Sequence, residues 1–139
     1  MIRAVIDTNV LVSALLSPKG NEALILLAIQ HGMIQPCFSA AILAEYLAVL
    51  RRPRFAFSEE EVEAVRRLLE ETGRKVEPDE ASAAFLSPDP ADTKFVQCAV
   101  SSAAAFIITG NRRDFPDAPY GVTQVANASE LIDEITRAL

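Results

Sequence analysis

Residues 4 to 12 read AVIDTNVLV, one carboxylate set between two apolar runs, and no other stretch constrains the fold as much. An ionised Asp7 buried there loses its hydration, so it needs a partner. Two roles meet that need. As a helix cap, Asp7, Thr8 or Asn9 would accept bonds from the free N–H groups of a first turn. As a metal ligand, Asp7 would stand at the carboxyl end of a first strand, where open α/β sheets place their sites. The segment alone leaves both open.

The order of elements is legible from punctuation. Strand patterns at Ala4–Ile6, Met33–Phe38, Arg74–Glu77, Ala105–Thr109 and Gly121–Val125 alternate with helical ones. Asn9–Leu16 reads as a short helix, and Asn21 is expected to cap a second that ends at Gly32, with His31 as its C-terminal partner. Pro36 suggests that the strand around it lies at a sheet edge or stops early. Ser39 caps a helix reaching Arg51 and Arg52. Ser58 with Glu61, and Asn127 with Glu130, form capping boxes for an amphipathic helix ending at Gly73 and for the final helix. Asp79–Leu86 has no clear pattern. Such alternation predicts an α/β fold, a parallel sheet with helices on both faces, because parallel neighbours need crossover connections.

With 139 residues, half of them apolar, the chain is expected to form one domain over residues 1–139. Its purest apolar run, Ala23–Ile29, is too short to cross a bilayer, and no cleavable leader pattern opens the sequence, so a soluble cytoplasmic protein without a membrane partner is expected. Cys37 and Cys98 lack metal-ligand spacing and read as buried thiols. A single histidine gives little support to His-based triads.

Further acids fall where parallel strands and their helices meet. Glu45 is the only charged residue from Phe38 to Leu50, so it pairs with a cation or points outward, with Arg51 or Arg52 as nearby partners. Ser87–Asp92 (SPDPAD) delivers Asp89 and Asp92 to the start of another helix, where a cap is the simpler role. The strand AFIIT ends in Thr109, and Asn111, Arg112, Arg113 and Asp114 follow it. The net charge of −6 weighs against a nucleic-acid partner, yet most of that excess resides in Asp7, Glu45, Asp89, Asp92 and Asp114 if these form one centre. A bound divalent ion would reverse its local sign.

Four segments in order, VIDTNVLVSAL, AAILAEYLAVL, DPADTKFVQCAV and IITGNRRDFP, resemble the PIN-domain nucleases, in particular the small VapC-like toxins of type II toxin–antitoxin pairs. The resemblance spans nearly the whole chain. It implies a Rossmann-like sheet, an acidic Mg²⁺ or Mn²⁺ site and endonuclease action on RNA. It also implies a homodimer and a small antitoxin partner. The family's first acid corresponds to Asp7, its helical Glu to Glu45 and its third acid to Asp92, with Asp89 nearby. Where many relatives carry Asp after Thr-Gly, this chain has Asn111, so Asp114 is expected to share that position's task. Thr8, Asn9 and Thr109 would orient the ligands.

Hard carboxylate oxygens suit Mg²⁺, which retains waters and needs few direct protein ligands. Under this reading Asp7 and Asp92 are central ligands, Glu45 binds directly or through water, and Asn111 or Asp114 completes the set. Arg112, Arg113, Arg51, Arg52 and Arg54 would hold phosphates, with solubility as their competing role. Two other functions fit parts of the pattern: a PIN-fold module that binds RNA or a partner without turnover, and an aspartyl-phosphate enzyme with Asp7 as nucleophile. Two features argue against the second: Asn9 stands where a DxD pair would have its second acid, and no downstream lysine is clearly placed beside an acid pair. A purely structural domain leaves Asp7 and Glu45 unexplained.

Overall fold

A computed structural model describes residues 1–139. Five parallel strands, β1 (Ile2–Ile6), β2 (Ile34–Phe38), β3 (Arg74–Lys75), β4 (Phe106–Ile108) and β5 (Gln124–Ala126), lie in the order β3-β2-β1-β4-β5. Six helices flank them: α1 (Thr8–Leu16), α2 (Asn21–Gln30), α3 (Ala40–Leu50), α4 (Glu59–Thr72), α5 (Thr93–Ser102) and α6 (Ala128–Ala138). This is the parallel-sheet α/β architecture that the alternation of strands and helices predicts, with the Rossmann-like sheet that the resemblance implies. None of the helices is by itself long and apolar enough to cross a membrane.

Strand order determines where a site can form. The chain builds outward from β1 to β2 and β3, then returns to place β4 on the other side of β1. Right-handed crossovers therefore put the outgoing and returning helices on opposite faces. The strand order reverses at β1, and the crevice beyond its carboxyl end is the place where such sheets bind ligands. In register Ile6 pairs with Ile108 and Ile108 with Ala126, so residues 7 and 109 emerge side by side. Val5, Ile6, Ile107 and Ile108 join Val96, Cys98 and Ala99 of α5 in one continuous apolar core. Both cysteines are buried and free.

Local signals place most helix ends. Ser39 accepts from Ile42 N–H at 3.3 Å, and capping boxes close at Ser58 with Glu61 and at Asn127 with Glu130. Three expectations need correction. Gly20, not Asn21, occupies the N-cap of α2, and Asn21 is its first helical residue. Pro36 lies in a strand paired on both sides; it tolerates this position because two-residue β3 pairs only with Cys37 and Phe38, beyond the proline. The last strand starts at Gln124, after a Tyr120–Thr123 bridge whose turn contains Gly121 at φ +59°. Helix α3 also departs from a fully buried one: Ile42, Leu43, Tyr46, Leu47, Val49 and Leu50 face inward, while Ala40, Ala44 and Ala48 are exposed.

Gly73 joins α4 to β3 through a contact too tight for a side chain. A Cβ there would stand 2.5 Å from the Leu69 carbonyl oxygen and 2.7 Å from that of Pro36. Both atoms are backbone and cannot swing away. Gly73→Ala is expected to destabilise the fold by about 1–3 kcal/mol, read as a lower denaturant midpoint at an unchanged slope; an unaltered midpoint would show that the α4–β3 junction can shift.

Candidate metal centre

Asp7 leaves β1 at the strand-order reversal and occupies the N-cap position of α1, but its side chain makes no capping bond. The carboxylate is only 7% exposed, and its Oδ2 accepts from Thr109 Oγ1 at 2.8 Å. Burial pushes its pKa above the ordinary value, the Thr109 bond opposes that rise, and the charges of Asp114 and Glu45 add to it. Tyr46, fully buried on α3, donates its hydroxyl to the Ile6 carbonyl and so fastens α3 to the end of β1.

Asp92 arrives from the other side. It ends a short 3-10 turn (Pro90–Asp92) and sits at the N-cap of α5, again without a side-chain capping bond. Its pKa is pushed up to about 6 by partial burial, then by the charges of Asp114, Asp7 and Asp89, with Lys94 acting in the opposite direction. Asp89 instead caps the 3-10 turn, accepting from Ala91 N–H at 2.9 Å, and is exposed.

The loop after β4 supplies the remaining polar groups. Thr109 Oγ1 accepts from Asn111 N–H at 3.1 Å, so one hydroxyl orders both Asp7 and this loop. Asn111 uses its amide locally: Oδ1 accepts from Arg113 N–H at 3.2 Å and Nδ2 donates to Asp114 Oδ1 at 3.3 Å. Ser87 Oγ donates to the Asp114 carbonyl at 2.6 Å, and Ser87 N–H donates to Thr93 Oγ1 at 3.1 Å, which ties this loop to the approach of α5.

Glu45 reaches the same region from α3, with both carboxylate oxygens engaged. Oε1 lies 2.7 Å from Lys94 Nζ, and Oε2 accepts from the buried Thr8 hydroxyl. Its cation is therefore Lys94 of α5, and neither Arg51 nor Arg52. Sequence reasoning passed over Lys94, Ser87, Thr93 and Tyr46. Only Lys94 left a signal, as the lone base directly after the DPAD acids.

Asp7, Asp92, Asp114 and Glu45 thus converge, with Thr8 and Thr109 beneath them. Asn9 is exposed and forms no side-chain hydrogen bond. The arginines divide. Arg51 pairs with Glu59 at 2.9 Å, and Arg112 bonds the Val125 carbonyl at 2.9 Å and pairs with Glu130, so both are committed away from the acids. Arg52, Arg54 and Arg113 are exposed without an ion pair, and the Arg54 guanidinium lies 4.7 Å from the centroid of Phe55.

No three acidic, histidine or cysteine side chains stand close enough to cage an ion by themselves. The donor set nevertheless fits Mg²⁺ or Mn²⁺. Both are hard ions suited to carboxylate oxygens, and Mg²⁺ keeps several waters and needs only one or two protein ligands. The upward shifts of Asp7 and Asp92 come first from burial and then from the charges of neighbouring acids, and the opposing groups of the protein offset them only in part.

A family model described as PIN domain matches residues 3–113. The fold is similar to the crystal structure of VapBC2 from Rickettsia felis bound to a DNA fragment from their promoter, with TM-score 0.61 and 13% identity, over 91% of this chain and 100% of that one. It is also similar to VapBC-1 from nontypeable Haemophilus influenzae, with TM-score 0.63 and 15% identity, over 92% and 99% of the two chains. At these identities the likeness is one of fold. No curated protein matches the chain in sequence.

The raised carboxyl of Asp92 has a consequence for stability. Between the ordinary Asp range and about pH 6 the folded chain holds a proton that the unfolded chain has released, so stability falls as pH rises through that window. With chelator present, Asp92→Asn is expected to melt several degrees above the parent at pH 7.5, and the gap should close as pH drops through 6 toward 4. A gap that stays constant with pH would show that Asp92 carries no such strain.

Proposed function

The chain belongs to the PIN-domain family, and from that premise we propose that it is a Mg²⁺- or Mn²⁺-dependent endoribonuclease, the toxin of a toxin–antitoxin pair. The observation that carries this reading is the meeting of Asp7, Asp92 and Asp114 at the strand-order reversal, with their charge only partly compensated. Asp7 and Asp92 would hold the ion, with Asp114 beside them and Glu45 reaching it directly or through water. When bound, such an ion supplies Lewis acidity to the phosphodiester and stabilises the departing oxygen.

The chain's own groups account for the rest. Thr109 fixes the Asp7 carboxylate through its Oδ2. Asn111 orients Asp114 through its amide in place of the charge that many relatives carry there. Arg113, in this loop and free of ion pairs, would meet a backbone phosphate, and Arg52 and Arg54 are candidates earlier in the chain. Arg112 and Arg51 would have to leave Glu130 and Glu59 to do the same.

The single PIN-like nuclease domain of residues 1–139 would work in the cytoplasm as a homodimer restrained by a small antitoxin. The similar structures, named VapBC2 and VapBC-1, support a partner of that kind. A second reading, a PIN-fold module that binds RNA or a partner with little turnover, draws support from Asn111 and from the engagement of Glu45 by Lys94.

A divalent-ion titration of RNA cleavage distinguishes them. The parent is expected to cut single-stranded or structured RNA only with Mg²⁺ or Mn²⁺. Asp7→Asn and Asp92→Asn should each lose at least about a hundredfold in rate, since even groups behind the ligands of a metal site cost 10–100-fold. Equal rates in parent and variants would remove these residues from the site, and RNA binding without cleavage would favour the module.

A further inference from the structure

Lys94 is the one base in ion-pair contact with the convergent acids. Its Nζ lies 2.7 Å from Glu45 Oε1 and donates to the Ala91 carbonyl at 2.6 Å. Two tethers from different elements leave the ammonium little freedom. The side chains of Lys94 and Glu45 are 24% and 30% exposed, so solvent screens this pair less than a surface one. Glu45 is fixed in turn by the Thr8 hydroxyl on its other oxygen. An acid from α3, a hydroxyl from α1 and a base from α5 therefore form a closed chain along one side of the acidic centre.

Charge is reduced at a second point. Asn111 follows Thr109 and Gly110 with a neutral amide, whose oxygen is already occupied by Arg113 N–H. Asp7, Asp92 and Asp114 remain as carboxylates without a cationic partner in ion-pair contact. A pair of divalent ions in a phosphodiesterase site sits about 3.5–4 Å apart and needs anionic oxygens around both. Here Lys94 already offsets the charge of Glu45 and Asn111 contributes none, so three carboxylates, Asp7, Asp92 and Asp114, are left to attract divalent charge.

We propose that Lys94 stands in for a second divalent ion, a fixed positive charge on Glu45 that restricts the acidic centre to one metal ion. This rests on the metal-dependent reading above and adds to it a positioning residue, since Lys94 acts through Glu45. The ammonium holds Glu45 against α5 and keeps the remaining divalent charge on the Asp7 and Asp92 side. The dependence of the centre on metal concentration should then have one step.

Mn²⁺ binding to the full chain without RNA, followed by calorimetry and by the loss of the free-ion electron paramagnetic resonance signal, tests this. The parent is expected to bind one Mn²⁺. Lys94→Gln should bind two, the second about ten- to a hundredfold more tightly than any residual binding in the parent. Lys94→Arg, which keeps the charge, should return the count to one. Lys94→Met repeats the comparison if the Gln variant does not fold. Two ions in the parent, or none, overturn the inference whatever the variants do, and so does an unchanged count and affinity on removing the charge. RNA cleavage by the parent with an unchanged count would overturn the inference alone. A gained ion without cleavage by the metal-loaded parent would overturn the nuclease reading alone.

Discussion

A carboxylate buried where a parallel sheet reverses its strand order is expensive to keep charged, and the Asp7 bond to Thr109 offsets only part of that expense. The rest of the site depends on this imbalance. Water cannot fully solvate Asp7, because it is buried and its backbone is bonded to Ile108 and Val10, which are themselves buried. The N-terminus of α1 directly follows it and contributes a favourable dipole, although the side chain makes no capping bond. Every added acid nearby raises the cost. Asp114 and Glu45 both push the Asp7 carboxyl upward, and Asp7 and Asp114 do the same to Asp92. A set of groups so arranged favours whatever brings positive charge to it.

The acids do not share one element. They are joined by tethers that cross between elements, and each tether uses a hydroxyl or an ammonium instead of a second carboxylate. Thr109 links β4 to β1, Tyr46 links α3 to β1, and Thr8, Glu45 and Lys94 join α1, α3 and α5. Ser87 links the approach of α5 to the loop after β4. Because these tethers start from buried or half-buried residues, the core fixes the positions of the acids even though their carboxylates repel. Repulsion is tolerated for the same reason that a strained backbone is tolerated at functional sites: the surrounding packing over-determines the geometry.

The parts legible in the sequence are those governed by neighbours in the chain. Ser39, the Ser58 with Glu61 box and the Asn127 with Glu130 box needed only local backbone donors, and all three form. Asp7 was conspicuous because apolar residues flank it on both sides. Pro36 misled because a strand's edge status depends on where its neighbour begins, and β3 begins too late to need the missing N–H. The arginines misled in a related way. Glu59 and Glu130 take up Arg51 and Arg112, pairings that depend on where α4 and α6 dock. Lys94 was hidden because its partner Glu45 lies on another helix, across α4, β3 and a loop region of sequence.

The same geometry explains how the chain folds around clustered acids before any cation arrives. A proton and a divalent ion compete for the same carboxylate oxygens, because ligation requires the deprotonated form. With the Asp92 carboxyl near 6, mildly acidic solution lets a proton relieve part of the repulsion. Lys94 relieves another part through its ion pair with Glu45, and Asn111 places a neutral amide beside Asp114. Relief by a proton is reversible and is lost on displacement by metal, whereas relief by Lys94 and Asn111 is built into the sequence. The more of the burden those two residues carry, the more stable the metal-free chain and the less charge is left for metal. Asp7, buried and fixed by Thr109, is where those opposing demands meet, since it is the most deeply buried of these acids and has no cation in ion-pair contact.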